Sequence, residues 1–410
     1  MAARLPPVLD LTWPSEGSRT VRHLLSLALG RAHAVVAGLA PAGPLDPRTA
    51  LRAAALEPGA LLAGLRRPSR LTLARCLELS PTAPPAARQR WARQLAAWLC
   101  LDGAERGLGG RVTMTDVDEL RSEHSGWFVR LPPGARLQLS PHALELTTAH
   151  GLGRSPLPAA PDALAAALAP AGVAVVTGQV PLWGEASLLL VDSNPLALEE
   201  AHPAKSGNRV DLGGQPVERW LRALGEALAI IAATVPALAD EMRLVLGHVG
   251  PVGFHAEQHL SASYLEAPGV VYLSLHPHVM TLVEALIHEF QHTKLHLLLG
   301  LDPVLHNADR PLYASPVRPD PRPLRGVLLA VHAFEPIGRL HDRLASDPRR
   351  AGVDPGAADW HRRRRGEVAR MCREGCEVLL PNARPTAAGA GLLAEIAALD
   401  AGARGWEPGV

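Results

Sequence analysis

The sequence predicts an α+β protein that is predominantly helical, and three observations support this. Long stretches carry apolar residues at helical spacing, with arginines between them. The middle of the chain changes to short β-like runs separated by proline and glycine turns. The composition, 47% hydrophobic and 20% charged over 410 residues, is that of an ordered globular protein. A chain of this length favours more than one domain, each with its own core.

These patterns divide the chain into three predicted regions. Residues 1–108 form a helical region, as RTVRHLLSLALGRAHAVVAGL and AARQRWARQLAAWLCL indicate. Residues 109–240 form an α/β middle region, in which GWFVRLPPGARLQLS and ASLLLVDSNP resemble strands and Val217–Leu238 is an amphipathic helix. Residues 241–410 form the third domain, which contains a strand, a long helix and further C-terminal helices.

The third region opens with a strand followed by a helix. The run GVVYLSL, Gly269 to Leu275, is apolar and β-branched, so it predicts a strand. A helix of about twenty residues follows in HPHVMTLVEALIHEFQHTKLHLLLG. Thr281 and Glu284 have the spacing of a capping box, and Gly300 is a suitable helix end. We expect two more helices, in VLLAVHAFEPIGRLHDRL and in WHRRRRGEVARMCREGCEVLL.

The predicted helix carries an HExxH motif at its centre. His288 and His292 are four residues apart, so they share one helix face and can bind one metal ion. Glu289 lies on the neighbouring face, within reach of a metal-bound water. Burying these polar groups in so apolar a helix is costly unless an ion pairs with them. A strand followed by an HExxH helix is a zincin-like arrangement, which we expect in the C-terminal half.

A metal centre of this kind needs a third protein ligand. The downstream helix offers His332 and Glu335 on one face, and we favour His332, with Glu335 close behind. Pro336 is expected to weaken that helix, because proline removes a backbone hydrogen bond. His296 stands one turn beyond the motif, and we interpret it as structural rather than as a ligand.

Charge and cysteine content exclude several classes of protein. The net charge of +1 gives no reason to expect a nucleic acid or an anionic membrane as partner. The four cysteines, Cys76, Cys100, Cys372 and Cys376, are too few and too scattered for a secreted disulfide scaffold. The N-terminal residues MAARLPPVLDLTW lack the apolar run of a signal peptide. We therefore expect a cytoplasmic protein without a membrane partner.

The residues around the motif resemble a known family. The segments SASYLEAPGVVYL, HEFQHTKLHLLLGLDPVL and DRPLYASPVRPDPRPLRGVLLAVHAF are similar to the 2-oxoglutarate-dependent HExxH-type peptide β-hydroxylases of bacterial peptide natural-product clusters. The likeness covers Phe254–Leu344, about a quarter of the chain. It implies an Fe(II) enzyme that hydroxylates a side-chain β-carbon of a ribosomally made precursor peptide. Other biosynthetic enzymes of such a cluster are further expected partners.

The chain departs from the family pattern at two places, so the resemblance does not fix the third ligand. His296 stands where a small polar residue is expected, and His332 and Phe334 exchange the histidine and aromatic positions. In the iron hypothesis, 2-oxoglutarate needs a cationic fork for its far carboxylate. The candidates for this fork are Arg322, Arg318 and, third, Arg325.

Two further residues have roles that depend on the metal. With iron, Glu289 is a ligand or orients one, and Tyr313 forms hydrogen bonds near the site. With zinc, the chain is a zincin-like peptidase that trims a leader peptide, in which Glu289 takes the proton of the attacking water. Tyr313 or His332 then stabilises the oxyanion. A binding protein with a decayed site is the third hypothesis.

Overall fold

The computed structural model describes residues 5, 8–15, 17–39, 51–52, 57–196, 210–347, 349 and 352–403. The protein is a mixed α+β structure, about 52% helical, as the sequence predicts at this coarse level. Its contacts form two compact units. The motif unit comprises Met1–Ala28, Leu182–Ala186 and Asp211–Val410, and the second unit comprises Leu29–Pro181 and Ser187–Val210. The three regions expected from the sequence stay a prediction.

The second unit is built on antiparallel sheets and helices. One sheet has the strand order β1-β4-β5-β6 and another has the order β2-β3-β7. Its core includes Trp127, Leu137 and Leu144. Up to residue 189 the elements are α1 Arg19–Ala37, α2 Pro58–Leu65, α3 Pro68–Leu79, α4 Pro85–Glu105, β1 Val112–Thr115, β2 Glu119–Arg121, β3 Trp127–Arg130, β4 Arg136–Ser140, β5 Ala143–Thr148, β6 Gly151–Pro156, α5 Pro161–Leu168, β7 Val175–Thr177, β8 Gln179–Trp183 and β9 Ala186–Leu189.

The motif unit combines a small sheet with long helices. Two helices precede the strands β10 to β12 and four helices follow them, with a short hairpin between the first and second of these four. From residue 217 the elements are α6 Val217–Thr234, α7 Pro236–Val245, β10 His248–Phe254, β11 Ser261–Ser263, β12 Val270–Leu275, α8 Val279–Leu299, β13 Leu312–Tyr313, β14 Arg322–Pro323, α9 Leu324–Ser346, α10 Ala358–Asn382 and α11 Ala387–Ala403.

The predicted strand before the motif is confirmed as β12. Its side chains are buried on both faces, as expected for a run of apolar and β-branched residues. It pairs in parallel with β10 and antiparallel with β11, which is the edge strand of the sheet. Gly269 precedes β12 with a φ of +87°, and a Cβ there would lie 2.4 Å from the Val245 carbonyl oxygen. Glycine is therefore required where β12 begins.

The motif helix is confirmed as α8, of 21 residues, and its C-cap is Gly300 as predicted. The predicted capping box is wrong. The helix begins at Val279 with His278 as N-cap and no side-chain cap. The Glu284 side chain cannot fold back to cap the N-terminus of α8, because its carboxylate is bound by His341 and Arg364.

Two prolines have opposite effects on their helices. The helix predicted over Val217–Leu238 is two helices, because Pro236 begins α7 in the first-turn position that proline favours. Pro336, expected to weaken its helix, lies inside α9, which continues to Ser346. None of the helices in the described residues combines the length and the hydropathy that crossing a membrane requires.

Candidate metal centre

One line of side chains on α8 reaches the surface of an otherwise buried helix. Glu284, His288, His292 and His296 are half-buried, whereas their neighbours Phe290 and Leu295 are fully buried. These four residues are spaced by four, so they follow one face of the helix. The helix thus packs its other faces into the core and opens a histidine-lined surface.

The His288 and His292 rings lie close enough to share an ion. Their centroids are 4.4 Å apart. Two imidazoles bound to one ion have centroids at most about 6.4 Å apart, since a Zn–N bond is about 2.1 Å and the ring adds about 1.1 Å. Burial, and then the charges of His288, His296 and His332, hold the pKa of His292 well below its usual value. The ring is therefore neutral, as a metal ligand must be.

His296 does not join this pair. Its ring is 6.3 Å from that of His292 and nearly parallel to it, at 29°. This separation is larger than the 4.4 Å between the His288 and His292 rings, so the geometry favours the His288–His292 pair. Burial lowers the pKa of His296 to about 4, although a hydrogen bond to the backbone of Tyr264 raises it. This ring fastens α8 to the chain that follows β11.

Glu289 also turns toward β11. It is 3% exposed, and its Oε2 accepts a hydrogen bond of 2.8 Å from the Ser263 hydroxyl. The motif glutamate therefore lies beside the edge of the sheet, next to the histidine pair in sequence.

The residue of α9 that faces the histidine pair is Phe334. Its ring centroid is 5.0 Å from that of His288, and the side chain is half-buried. Residues two apart on a helix point about 200° apart, so His332 leaves α9 in a different direction from Phe334, although its charge still acts on His292. His332 is fully buried, and burial, with the charge of Lys294, holds its pKa well below the usual value.

Glu335 is engaged away from the pair. Its Oε1 accepts a hydrogen bond of 2.9 Å from Arg339, and the Cys372 thiol also bonds to it. Burial raises the pKa of Glu335. Across the described ranges, no three His, Cys, Asp or Glu side chains converge as a metal-binding group. The pair His288–His292 fits a shared ion, and His332 and Glu335 as its further ligands stay a prediction.

The candidate arginines are at the surface. Arg318 and Arg322 both contact Asp320, at 2.9 Å and 3.7 Å, and Arg325 pairs with Asp309 at 2.9 Å. Arg322 is the least exposed of the three, with 35% of its side chain accessible. Each guanidinium thus already has a carboxylate partner.

Tyr313 belongs to a short hairpin. It lies opposite Arg322 where β13 pairs with β14. Its side chain is half-buried and packs against the apolar core of the motif unit. The structure therefore gives this tyrosine a packing role, and a hydrogen bond near the metal stays a prediction.

A polar network that the sequence did not reveal lies one turn before His288. Glu284 accepts from His341 Nε2 at 3.0 Å and from Arg364 at 2.6 Å. The His341 and His361 Nδ1 atoms are 2.8 Å apart, and both rings are fully buried. Burial opposes ionisation of Glu284, but the two hydrogen-bond donors lower its pKa to about 2. In the sequence this network is indicated only by the charged run HRRRRG, in which Arg364 is the ion-pair partner of Glu284.

The back of α8 is held by the N-terminal segment and by a buried ion pair. Gln291 Nε2 donates to the Thr12 carbonyl at 2.6 Å. The Glu395 carboxylate accepts from the backbone of the same segment, including the Thr12 N–H at 2.9 Å. Lys294 Nζ lies 2.7 Å from Glu241, and neither side chain is more than 1% exposed. These contacts fix the rotation of α8 about its axis and so decide which of its faces is only half-buried.

Comparison with known proteins gave no match, neither to a family model nor to a curated protein.

Proposed function

We propose that the chain is an Fe(II)- and 2-oxoglutarate-dependent hydroxylase of a side-chain β-carbon in a ribosomally made precursor peptide. One observation carries the proposal. Two histidines, His288 and His292, stand 4.4 Å apart on a half-buried line of α8. The resemblance of the surrounding segments to the HExxH-type peptide β-hydroxylases supplies the reaction.

His288 and His292 hold the metal in this proposal. Bound iron supplies the oxidising chemistry, in which dioxygen gives one oxygen atom to a C–H bond of the peptide and the other to 2-oxoglutarate as it becomes succinate and CO2. The chain contributes the environment. The Phe334 ring contacts the His288 ring, and the Glu289 carboxylate is held in place by a hydrogen bond from Ser263.

The edge strand β11 is the feature that favours a peptide substrate. It is the edge strand of its sheet, and an extended peptide can add to such an edge through backbone hydrogen bonds. Ser263 of β11 contacts the motif glutamate, and the Tyr264 backbone contacts His296. A peptide added at this edge therefore runs beside the motif helix.

Arg322 is the preferred partner of the 2-oxoglutarate far carboxylate. It is the least exposed of the three candidates, and a guanidinium matches a carboxylate in charge and geometry. Its present partner Asp320 is 3.7 Å away, longer than the 2.9 Å from Arg318 to the same residue. Exchanging one loosely held carboxylate for another costs little.

A zinc peptidase is the second candidate function, and Glu289 is the observation that favours it. A carboxylate that follows His288 in the motif and accepts a hydrogen bond from the edge strand has the position of a general base. In that case zinc lowers the pKa of its water, and Glu289→Gln abolishes peptide cleavage.

Calorimetric titration of metal and of 2-oxoglutarate into single variants tests the main proposal. His288→Ala and His292→Ala should each abolish metal binding. Arg322→Ala should keep the metal and weaken 2-oxoglutarate, while Arg318→Ala is the matched control on the same loop. Metal binding that survives both histidine substitutions would place the centre elsewhere, and unchanged 2-oxoglutarate affinity in Arg322→Ala would reassign the fork.

A further inference from the structure

Three helices of the motif unit meet at a chain of three side chains. Glu284 of α8 accepts a hydrogen bond from His341 Nε2 of α9, at 3.0 Å. The His341 Nδ1 atom lies 2.8 Å from the Nδ1 atom of His361, which belongs to α10. Both rings are fully buried, and their centroids are 5.1 Å apart. The chain therefore links α8, α9 and α10 by side-chain contacts.

Only one order of protons fits this chain while both rings are neutral. The Glu284 carboxylate is ionised at neutral pH, because its pKa is about 2, so His341 Nε2 must be the donor. A neutral imidazole has a single N–H, which leaves His341 Nδ1 as an acceptor. His361 Nδ1 must then carry the proton that lies between the two rings. His361 Nε2 is left as a lone pair, and it has no hydrogen-bond partner among the described residues.

The surroundings of the chain disfavour a further positive charge. Arg364 lies 2.6 Å from Glu284, so the carboxylate already has a charged partner. Arg365, the next residue of α10, pairs with Asp342 of α9 at 2.6 Å. Burial lowers the pKa of His361 to about 4. We therefore expect both rings of the chain to be neutral at pH 7.

In acid, the next proton goes to the ring nitrogen that has no partner, His361 Nε2. The resulting cation would be buried without an acceptor, one helical turn before Arg364 and Arg365. Burying an unpaired charge is costly, and this cost disappears when the ring reaches water. Trp360, the preceding residue, is 40% exposed, and its ring centroid lies 4.9 Å from that of His361. The His361 ring therefore lies beside a side chain that already contacts solvent.

From this geometry we infer that His341 and His361 form an acid-operated latch between α9 and α10. At neutral pH the latch is closed by the hydrogen bond between the two rings. In acid the protonated His361 ring leaves the interior together with the first turn of α10, Ala358–His361. Glu284 and His341 keep their contact, so the opening is confined to the N-terminal end of α10. The latch is independent of the proposed function, because neither a metal nor a substrate takes part in it.

Imidazole 15N chemical shifts test the proton order. In protein labelled with 15N-histidine at pH 7, His361 should have a protonated Nδ1 and an unprotonated Nε2, and its signals are assigned by their loss in His361→Asn. Asparagine places an N–H where Nδ1 stands, whereas glutamine places one where Nε2 stands, so the two substitutions form a matched pair. His361→Gln should lower the melting temperature by about 2–4 °C, the shift of one hydrogen bond in a unit of this size, and His361→Asn should lower it less.

The fluorescence of Trp360 tests the opening. The chain has eight tryptophans, so the signal is taken as the difference between the wild type and Trp360→Phe. Between pH 7 and about pH 3.5 this difference should change in one step, and acrylamide should quench it more strongly in acid, because His361 titrates in this range. The step should be absent in His361→Asn, which does not titrate, and kept in His306→Asn, the control at an exposed histidine. Far-UV circular dichroism at each pH shows whether the unit remains folded.

Four outcomes would contradict the latch. A protonated His361 Nε2 at pH 7, or equal destabilisation by His361→Asn and His361→Gln, would overturn the proton order and the latch with it. A fluorescence difference that stays flat as the pH falls, or a step that persists in His361→Asn, would show that His361 does not drive the opening. A loss of circular dichroism at the same pH as the step would mean that the whole unit unfolds, which also overturns a local latch.

Discussion

The carboxylate of Glu284 should stabilise the motif unit in a way that depends strongly on pH. Its pKa falls from 4.5 to about 2 because His341 and Arg364 donate to it, and its side chain is only 17% exposed. One pKa unit corresponds to about 1.4 kcal/mol, so the ionised carboxylate contributes about 3 kcal/mol at neutral pH. A depressed pKa gives stability that is complete above pH 4.5 and is lost as the pH falls toward 2.

Glu284→Gln removes this charge with little change of shape. At pH 7 the variant should be less stable than the wild type by about 3 kcal/mol, and by pH 3 the difference should shrink to about half or less. Urea unfolding followed by far-UV circular dichroism at pH 7, 5 and 3 measures both. Glu226→Gln, on the exposed side of α6, is the matched control. A difference that stays constant with pH, or that equals the control, would refute the ion-pair account.

Three further predictions concern stability. Glu241→Gln should lower the free energy of unfolding by about 3–5 kcal/mol, because it leaves Lys294 buried and unpaired. The double variant Glu241→Leu with Lys294→Met should recover most of this stability, and equal losses in the single and double variants would argue against the ion pair. Ser263→Ala should cost about 2 kcal/mol by removing a hydrogen bond to a charged acceptor, with one Co(II) still bound by titration. His361 has a pKa of about 4 from burial and His341, so wild-type stability should fall as the pH drops from 6.5 to 4. His361→Gln should reduce this slope in urea unfolding, while the buried His292, His296 and His332 keep the rest of it.

The elements nearest the motif were predictable because local signals there agree. The apolar run of β12, the glycine before it and the glycine after α8 act within a few residues, so their pattern is visible in the sequence. The helix break at Pro236 was missed, whereas Pro336 was expected to weaken a helix that in fact continues. The sequence alone does not distinguish a proline in the first turn of a helix from a proline inside a packed helix. Tertiary packing decides whether the helix breaks or continues there.

Only the part of the site that lies on one helix, α8, was predictable from the sequence. Four-residue spacing places His288 beside His292 without any knowledge of the fold. The partner helix is different, since the rotation of α9 about its axis decides whether Phe334, His332 or Glu335 faces the motif. That rotation depends on contacts distant in sequence, such as the one between His341 and Glu284. The spacing of residues along a single sequence does not reveal this rotation.

Anaerobic titration of 2-oxoglutarate into Fe(II)-loaded protein tests the central claim most directly. The account predicts a metal-to-ligand charge-transfer band in the visible that grows with 2-oxoglutarate and is lost in His288→Ala. His296→Gln is the control on the same line of α8 and should keep the band, because the account gives His296 a structural role and not that of a ligand. Tight zinc binding with no band at any 2-oxoglutarate concentration would contradict the account and favour hydrolysis.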